Sequence, residues 1–276
     1  MILLREIIRG NPRAIGRALS LVEDGGPEAR RFMKDIRGLR KKAPVVGITG
    51  APGTGKSTLA DRLIGDLRAY GLKVGVVAID PTSPVTASAT TRSALPTESS
   101  GAPGFARGST SAAEARPLTG GAVLGDRSRM IRHSADPGVY IRSMASRGHR
   151  GGLAKAAGDV CAVLTAAGMD MILLETVGVG QAEVDVIHVA GLVLVVLTPG
   201  SGVDIQTFKA GVMKITDIFI LNKSDLPGAA AFEAQVRGMV ELGDPDRPPP
   251  LIIRTSATEG RGIDLVGAEV RKLVRP

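Results

Sequence analysis

A glycine-rich segment that joins an apolar run to a helix-like run constrains the fold of this 276-residue chain more than any other feature. Residues 45–49 (VVGIT) are typical of a buried strand, residues 50–57 read GAPGTGKS, and a helix-like run continues from 57 to 70. This order of strand, glycine-rich loop and helix matches the phosphate-binding P-loop pattern. In such a loop, backbone N–H groups and the N-terminus of the helix bind phosphate oxygens.

The types of residue in this loop indicate a bound nucleoside triphosphate. Lys56 should reach the β- and γ-phosphates, and the hydroxyl group of Ser57 should bind Mg²⁺. The alternative is a glycine-rich turn without a ligand, but it would leave the Lys-Ser pair after the last glycine without a structural purpose. We therefore expect the nucleotide to contact Gly50, Gly53, Gly55, Lys56, Ser57 and Thr58.

A second polar segment indicates that the base is guanine. Residues 217–221 are typical of a buried strand, and Asn222, Lys223 and Asp225 follow at its carboxyl end in the pattern NKxD. The carboxylate of Asp225 would accept two hydrogen bonds from guanine, and the stem of Lys223 would cover the base. Adenine lacks that pair of donors, so it would leave the carboxylate unmatched. A polar turn is the alternative for this segment taken alone.

A third loop completes the expected base site. The apolar residues 251–253 predict another strand, and Ser256 and Ala257 follow it closely. We expect this loop to contact the carbonyl group of guanine.

Acidic residues at the ends of two further strand-like runs are candidates for a metal site. Glu175 follows the nearly continuous apolar run 169–174, and Asp80 ends the run 76–80. A carboxylate there can hold Mg²⁺ through water, and the N–H group of Gly178 can contact the γ-phosphate. The alternative is that each acid is only a helix cap or a turn residue. Two such acids beside a P-loop favour the metal site.

The alternation of strand-like and helix-like runs predicts an α/β fold, a P-loop nucleoside triphosphatase with a doubly wound, mainly parallel sheet flanked by helices. Apolar spacing predicts an amphipathic helix from the first residues through Val22, a break at residues 25–27, and a second, basic helix from 28 to 42. We therefore expect a small N-terminal helical extension, residues 1–42, before a P-loop domain, residues 43–276.

Composition excludes several classes of function. The net charge is +8, but aromatic residues make up 3% of the chain and no nucleic-acid recognition motif is present. The N-terminal apolar run is too short and too charged for a signal peptide or a membrane span. Cys161 is the only cysteine, so an internal disulfide is excluded and a cytoplasmic location is expected. His133, His149 and His188 stand apart, which disfavours a nickel chaperone.

Four longer motifs resemble those of the MeaB/ArgK family. They are DPTSP at 80–84, TGGAVLGDR at 119–127, IRSMASRGH at 141–149 and ETVGVGQ at 175–181. Members of this family are GTPases that act as chaperones for adenosylcobalamin-dependent methylmalonyl-CoA mutase. The resemblance extends from the first residues to about Leu273. It implies GTP and GDP as bound nucleotides, Mg²⁺ as cofactor and an acyl-CoA mutase, methylmalonyl-CoA mutase first, as partner.

The resemblance also implies which residues hold the metal: Ser57, Asp80, Asp126 and Glu175. The segments around Asp126 and Gln181 would be switches that respond to the bound nucleotide. Gln181 would either orient the attacking water or contact a switch, and both roles stay open. The catalytic residues expected on this basis are Lys56, Glu175 and Gln181.

Two departures from the family pattern limit what the resemblance implies. Residues 86–118, rich in Ala, Ser, Thr, Gly and Pro, separate two motifs that adjoin in relatives, so we interpret them as an insertion. The sequence ends at Pro276, before the helices that form a dimerisation arm in relatives, so a homodimer is not carried over.

Two other functions fit parts of the pattern. An ArgK-type kinase linked to amino-acid transport would use ATP, and the NKSD segment argues against it. A non-catalytic GTP-binding module would fit a chain whose insertion interrupts a switch.

Overall fold

The structure is a computed structural model that describes residues 2–39, 42–80, 130–145, 152–176, 187–200, 212–243 and 247–274. Asp80 is described for its backbone only. The expected insertion 86–118, the metal candidate Asp126, and the candidates Gly178 and Gln181 lie outside the described residues.

Seven strands form one sheet in the order β3-β2-β4-β1-β5-β6-β7. Every neighbouring pair in this order is parallel. The predicted α/β fold with a doubly wound parallel sheet is therefore confirmed. The strands are β1 Val45–Thr49, β2 Val74–Asp80, β3 Val139–Ala145, β4 Met171–Thr176, β5 Leu192–Leu197, β6 Ile218–Leu221 and β7 Leu251–Arg254.

The central strand β4 is apolar from Met171 to Leu174 because both faces of the sheet are covered. In β4 all six residues are buried. Ile172 and Leu174 belong to the core on one face, whereas Met171 and Leu173 belong to the core on the other face. Successive side chains of a strand point to opposite faces, so a strand between two layers of helices needs apolar residues at every position.

Helices cover both faces of this sheet. They are α1 Ile2–Ile8, α2 Pro12–Asp24, α3 Gly26–Arg37, α4 Lys56–Ala69, α5 Gly152–Ala166, α6 Val212–Ile215, α7 Ala229–Glu241 and α8 Ile263–Arg271, with a 3₁₀ turn at Ile131–His133. Helices α2 and α5 share one core, and α4 and α8 share the core on the opposite face. In the part of the chain that the structure describes, none of the helices is both long and apolar enough to cross a membrane.

The N-terminal region differs from the single long helix that its apolar spacing predicts. The helix is interrupted at Gly10, whose φ angle is 75°, and a new helix starts at Pro12. The side chain of Asn11 accepts hydrogen bonds from the backbone N–H groups of Arg13, at 3.0 Å, and Ala14, at 3.3 Å. This capping by Asn, followed by Pro in the first turn, favours a helix start there.

The following basic helix, predicted for residues 28–42, also has different bounds, Gly26–Arg37. Proline is tolerated in the first turn of a helix because the N–H group it lacks has no partner within the helix. Pro27 therefore lies in the first turn of this helix and not in the predicted break at residues 25–27.

A nearly buried ion pair joins the N-terminal helices to the edge of the sheet. Arg142 on the edge strand β3 donates two hydrogen bonds to Glu23 at the end of α2, Nε to Oε1 at 2.7 Å and Nη2 to Oε2 at 2.8 Å. The exposed fractions of the two side chains are 7% and 13%. The hydrogen bond from Arg142 to Glu23 raises the pKa of the guanidinium group above its ordinary value, so Arg142 keeps its charge.

Cys161 is a core residue of α5 and not a reactive thiol. Its side chain is buried in the core shared by α2 and α5. Burial raises the pKa of the thiol to about 12, so the thiol stays protonated at neutral pH.

The ion pair predicts a large loss of stability when one partner is removed. Glu23→Ala leaves the buried guanidinium group of Arg142 without its carboxylate, and we expect the free energy of unfolding in urea to fall by about 3 kcal/mol. Arg9→Ala is the control, because Arg9 pairs with Glu6 while its side chain is 74% exposed. That variant should lose less than about 1 kcal/mol. Equal losses in the two variants would contradict the anchoring role of the pair.

Candidate nucleotide-binding site

The P-loop lies between the end of β1 and the start of α4, as the sequence predicts. Its backbone needs glycine at two points of close approach. A Cβ atom on Gly50 would lie 2.3 Å from the carbonyl oxygen of Val196, and one on Gly55 would lie 2.4 Å from Nδ2 of Asn222. These two glycines and Gly53 also have positive φ angles, which favour glycine. The angles are 147° at Gly50, 79° at Gly53 and 92° at Gly55. The loop can therefore close only with these residues.

Lys56 is held inside this loop. Its Nζ donates hydrogen bonds to the carbonyl oxygens of Gly50, at 2.9 Å, and Ala51, at 3.0 Å. The residue is only 6% exposed, at the first turn of α4. The helix N-terminus and the ammonium group thus direct positive charge at the same point, which suits a phosphate group.

Ser57 and Glu175 are brought together by the pairing of β1 with β4. Ile48 is in register with Glu175, and the Oγ atom of Ser57 donates a 2.6 Å hydrogen bond to Oε1 of Glu175. Both residues are buried. A hydroxyl and a carboxylate are the hard oxygen ligands that Mg²⁺ prefers, so this pair fits a magnesium site.

Asp80 lies at the same edge of the sheet. It is the last residue of β2, the strand next to β4, and Ile79 is in register with Thr176. The backbone of Asp80 therefore lies one residue beyond the Ile79–Thr176 pair, on the strand next to the one that contains Glu175. Within the described ranges, no three His, Cys, Asp or Glu side chains come together as metal ligands would.

Asn222 joins the base side of the site to the P-loop. It directly follows β6 and is 2% exposed. Its Nδ2 donates to the carbonyl oxygen of Thr54 at 2.8 Å, and its Oδ1 accepts from Thr255 Oγ1 at 3.1 Å and from the N–H group of Ala257 at 3.0 Å. One side chain therefore connects three segments around the candidate site.

Lys223 makes a second connection across the site. Its Nζ donates to the carbonyl oxygen of Gly53 at 2.8 Å, so the lysine stem spans from the NKSD segment to the P-loop. Its φ angle is 57°, an uncommon value for a residue other than glycine. Such strained backbone often occurs where a side chain must be directed at a ligand.

Asp225 is exposed and ionised. The hydrogen bond from the Ser256 side chain, aided by the charges of Arg261 and Lys223, holds the pKa of its carboxyl group below the ordinary value. At neutral pH the carboxylate is thus an acceptor only, as recognition of two guanine donors requires. Ser256 itself is fully buried and fixes the neighbouring loop.

The P-loop and the NKSD segment line a cavity of about 370 Å³. This volume is within the range of small-molecule sites. The lining residues are Pro52, Gly53, Gly55, Lys56, Ser57, Thr58, Glu175, Asn222, Lys223, Ala257 and Thr258. Most of the predicted residues with described side chains therefore line one cavity, whereas Gly50, Asp225 and Ser256 are not among its lining residues.

Pro52 and Thr258 also line the cavity, and neither was predicted from the sequence as a site residue. Pro52 lies inside the P-loop, and Thr258 directly follows Ala257, so adjacency to predicted residues was the available signal. The sequence contained no comparable signal for Arg62, which contacts the loop behind the base site from α4.

Comparison with known proteins identifies the family. The family model described as "Methylmalonyl Co-A mutase-associated GTPase MeaB" matches residues 15–92 and 112–275. The chain belongs to the MeaB family. The family predicted from the four motifs is confirmed, and so is the enzyme class, because MeaB proteins are GTPases.

Individual relatives agree with the MeaB assignment. A putative GTPase of Pyrococcus abyssi is 45% identical over 267 residues, which are 95% of this chain and 72% of that protein. A fused isobutyryl-CoA mutase of Geobacillus kaustophilus is 29% identical over 85% of this chain and 19% of that protein. The crystal structure of a LAO/AO transport system kinase has the same fold, with a TM-score of 0.68 at 22% identity, over 98% of this chain and 73% of that chain.

The base side of the site predicts a change of nucleotide preference. Asp225→Asn replaces an acceptor with an amide, so GTP should bind at least about tenfold more weakly and xanthosine triphosphate more tightly. Competition of the two nucleotides against a fluorescent GDP analogue measures this. Asp264→Asn, which changes an exposed carboxylate in the first turn of α8, should keep the parent preference. If Asp225→Asn also keeps it, the assigned base site is wrong.

Proposed function

We propose that this protein hydrolyses GTP to GDP and phosphate and acts as a chaperone for an adenosylcobalamin-dependent acyl-CoA mutase. One observation carries the nucleotide part of the proposal: the P-loop and the NKSD segment face one cavity and are tied to each other by Asn222 and Lys223. The partner is supported by the relative in which a region similar to this chain is part of a fused isobutyryl-CoA mutase.

Catalysis rests on stabilising charge in the transition state. As water attacks the γ-phosphorus and the bond to the β–γ bridging oxygen breaks, negative charge develops on the leaving oxygen. Lys56 lines the cavity at the N-terminus of α4, so its ammonium group and the backbone N–H groups there would stabilise that charge. Because the donors are fixed in advance, little reorganisation is needed during the reaction.

The metal site would be completed around Ser57 and Glu175. We propose Mg²⁺ there, with Asp80 and Asp126 contributing from the neighbouring segments. When bound, Mg²⁺ neutralises charge on the β- and γ-phosphate oxygens. The hydrogen bond from Ser57 to Glu175 holds the two side chains that would bind the metal next to each other.

Guanine selection would come from Asp225 and the loop at Ser256. The lowered pKa of Asp225 keeps the acceptor charged over the physiological pH range. An adenine base would place an acceptor against this carboxylate, and the pair would repel. This reasoning disfavours an ATP-using kinase linked to amino-acid transport.

A non-catalytic GTP-binding module is the remaining alternative. Membership of the MeaB family favours hydrolysis over binding alone, because the family model is that of a GTPase. We assign Lys56 and Glu175 to catalysis, and we propose that Gln181 either orients water or contacts a switch.

Glu175→Gln separates an effect on hydrolysis from an effect on folding. The amide keeps the shape and accepts the Ser57 hydrogen bond but lacks the charge for Mg²⁺, so GTP turnover should fall about 100-fold or more while the melting temperature changes little. Glu241→Gln, at the exposed end of α7, is the matched control and should turn over GTP at the parent rate. Parent-level turnover in Glu175→Gln would contradict the role of this carboxylate.

The chaperone part of the proposal is tested with partners. GTP turnover should rise about tenfold or more when the cognate adenosylcobalamin-dependent mutase is added, because a partner in trans can complete a GTPase site. Methylmalonyl-CoA mutase and isobutyryl-CoA mutase are compared side by side, which also identifies the substrate class. If turnover is unchanged with both mutases and neither co-elutes with the GTP-bound protein, the chaperone proposal is wrong.

A further inference from the structure

We propose that Arg62 of α4 is a positioning residue for guanine binding, because it fixes the base-contacting loop from behind. The inference rests on the proposed function, since it assigns a role at the same nucleotide site. It concerns how tightly the nucleotide is held and not the chemistry of hydrolysis. Arg62 itself is not among the residues that line the cavity.

Arg62 holds two successive carbonyl groups of this loop. Its Nε donates to the carbonyl oxygen of Ala257 at 3.0 Å, and its Nη2 donates to that of Thr258 at 2.7 Å. A guanidinium group is planar and carries its donors in a fixed arrangement, so two bonds from one group set the orientation of both peptide planes. In a trans peptide the N–H group points opposite to the carbonyl group, so the N–H group of Thr258 is directed away from Arg62.

The rest of the loop is held by its own backbone and by Asn222. Ser256 and Arg261 exchange backbone hydrogen bonds of 3.1 and 3.2 Å, and the N–H group of Glu259 donates to the carbonyl oxygen of Ser256 at 3.1 Å. Asn222 holds the N–H group of Ala257. Among these contacts, those from Arg62 are the ones that tie the tip of the loop, Ala257 and Thr258, to the helix that begins at the P-loop.

This arrangement links phosphate binding to base binding through a single rigid element. α4 starts at Lys56, and Arg62 lies about 9 Å along the same helix axis. A helix moves as a unit, so the distance between the phosphate-binding N-terminus and the base-contacting loop is fixed. Without Arg62 the loop tip would sample further conformations, and a nucleotide would bind only the competent fraction of them.

The experiment measures release of GDP and single-turnover hydrolysis of GTP. In Arg62→Ala the rate of GDP dissociation should rise about 5- to 20-fold, because two hydrogen bonds from a charged group are lost at the loop. The single-turnover rate of bound GTP should stay within about twofold of the parent rate, because the groups around the phosphates are untouched. A merely structural role would not produce this difference between release and chemistry.

Arg68→Ala is the matched control on the same helix. Arg68 donates two hydrogen bonds to Asp136, at 2.9 and 3.0 Å, and a third to the carbonyl oxygen of Leu72, at 2.8 Å. It lies about 9 Å beyond Arg62 along the axis, away from the base loop. The control therefore loses a similar set of contacts from α4, yet GDP release should match that of the parent protein.

A milder substitution at the same position keeps the inference testable if Arg62→Ala does not fold. Arg62→Lys keeps the charge and the stem but carries a single nitrogen, so GDP release should be faster than in the parent and slower than in Arg62→Ala. If Arg62→Ala does not fold, Arg62→Lys decides the question in the same way. Parent-level release in both variants overturns the inference. Faster release that occurs equally in Arg68→Ala, or that comes with an equal loss of single-turnover hydrolysis, overturns it as well.

Failure of the proposed function gives a different result. If the parent protein itself does not prefer GDP to ADP in competition binding, the guanine site is wrong and the role of Arg62 is wrong with it. If the parent prefers GDP to ADP but both Arg62 variants release GDP at the parent rate, the guanine site stands. Only the positioning role of Arg62 is then overturned.

Discussion

The buried side-chain amide of Asn222 is the interaction on which the geometry of the site depends. It donates to the P-loop at Thr54 and accepts from Thr255 and Ala257 in the base loop. A buried amide must satisfy its donors and acceptors within the protein, and each lost partner costs about 1–3 kcal/mol. The amide therefore fixes how far the phosphate loop lies from the base loop. This contact also requires glycine at position 55, because a Cβ atom there would collide with Nδ2 of Asn222.

The topology of the sheet explains why the amide of Asn222 can connect its own segment to the P-loop and to the loop after β7. All neighbouring strands run parallel, so the loops after β1, β4, β6 and β7 leave the sheet at the same edge. Ligands of open α/β sheets bind at this carboxyl edge, where the strand order reverses. Here β1 pairs with both β4 and β5, which puts the P-loop at the centre of that edge. The buried pair of Ser57 with Glu175 is then a direct result of the β1–β4 register.

The sequence allowed the strands and their terminal polar residues to be predicted because each is a local pattern. A strand covered on both faces is apolar throughout, and its end is marked by the first polar group, as at Glu175 and Asn222. The break between α1 and α2 was missed because apolar spacing continued through it while the capping by Asn11 stopped the helix. The contacts of Arg62 with the loop at Ala257 and of Arg142 with Glu23 were not predictable from the sequence. Nothing local to Arg62 or Arg142 indicates its partner, since the partner depends on how the helices pack.

The N-terminal helices belong to the same physical unit as the sheet. Their apolar residues share one core with α5 and with β2 and β4, so that face of the sheet is closed only when these helices are in position. The pair of Arg142 with Glu23 adds a directional contact to this apolar layer at the edge strand β3. β3 in turn is in register with β2 up to Ala145 and Asp80. The helix α2 and the strand that carries Asp80 are therefore joined through one apolar core and, by way of β3, through one ion pair.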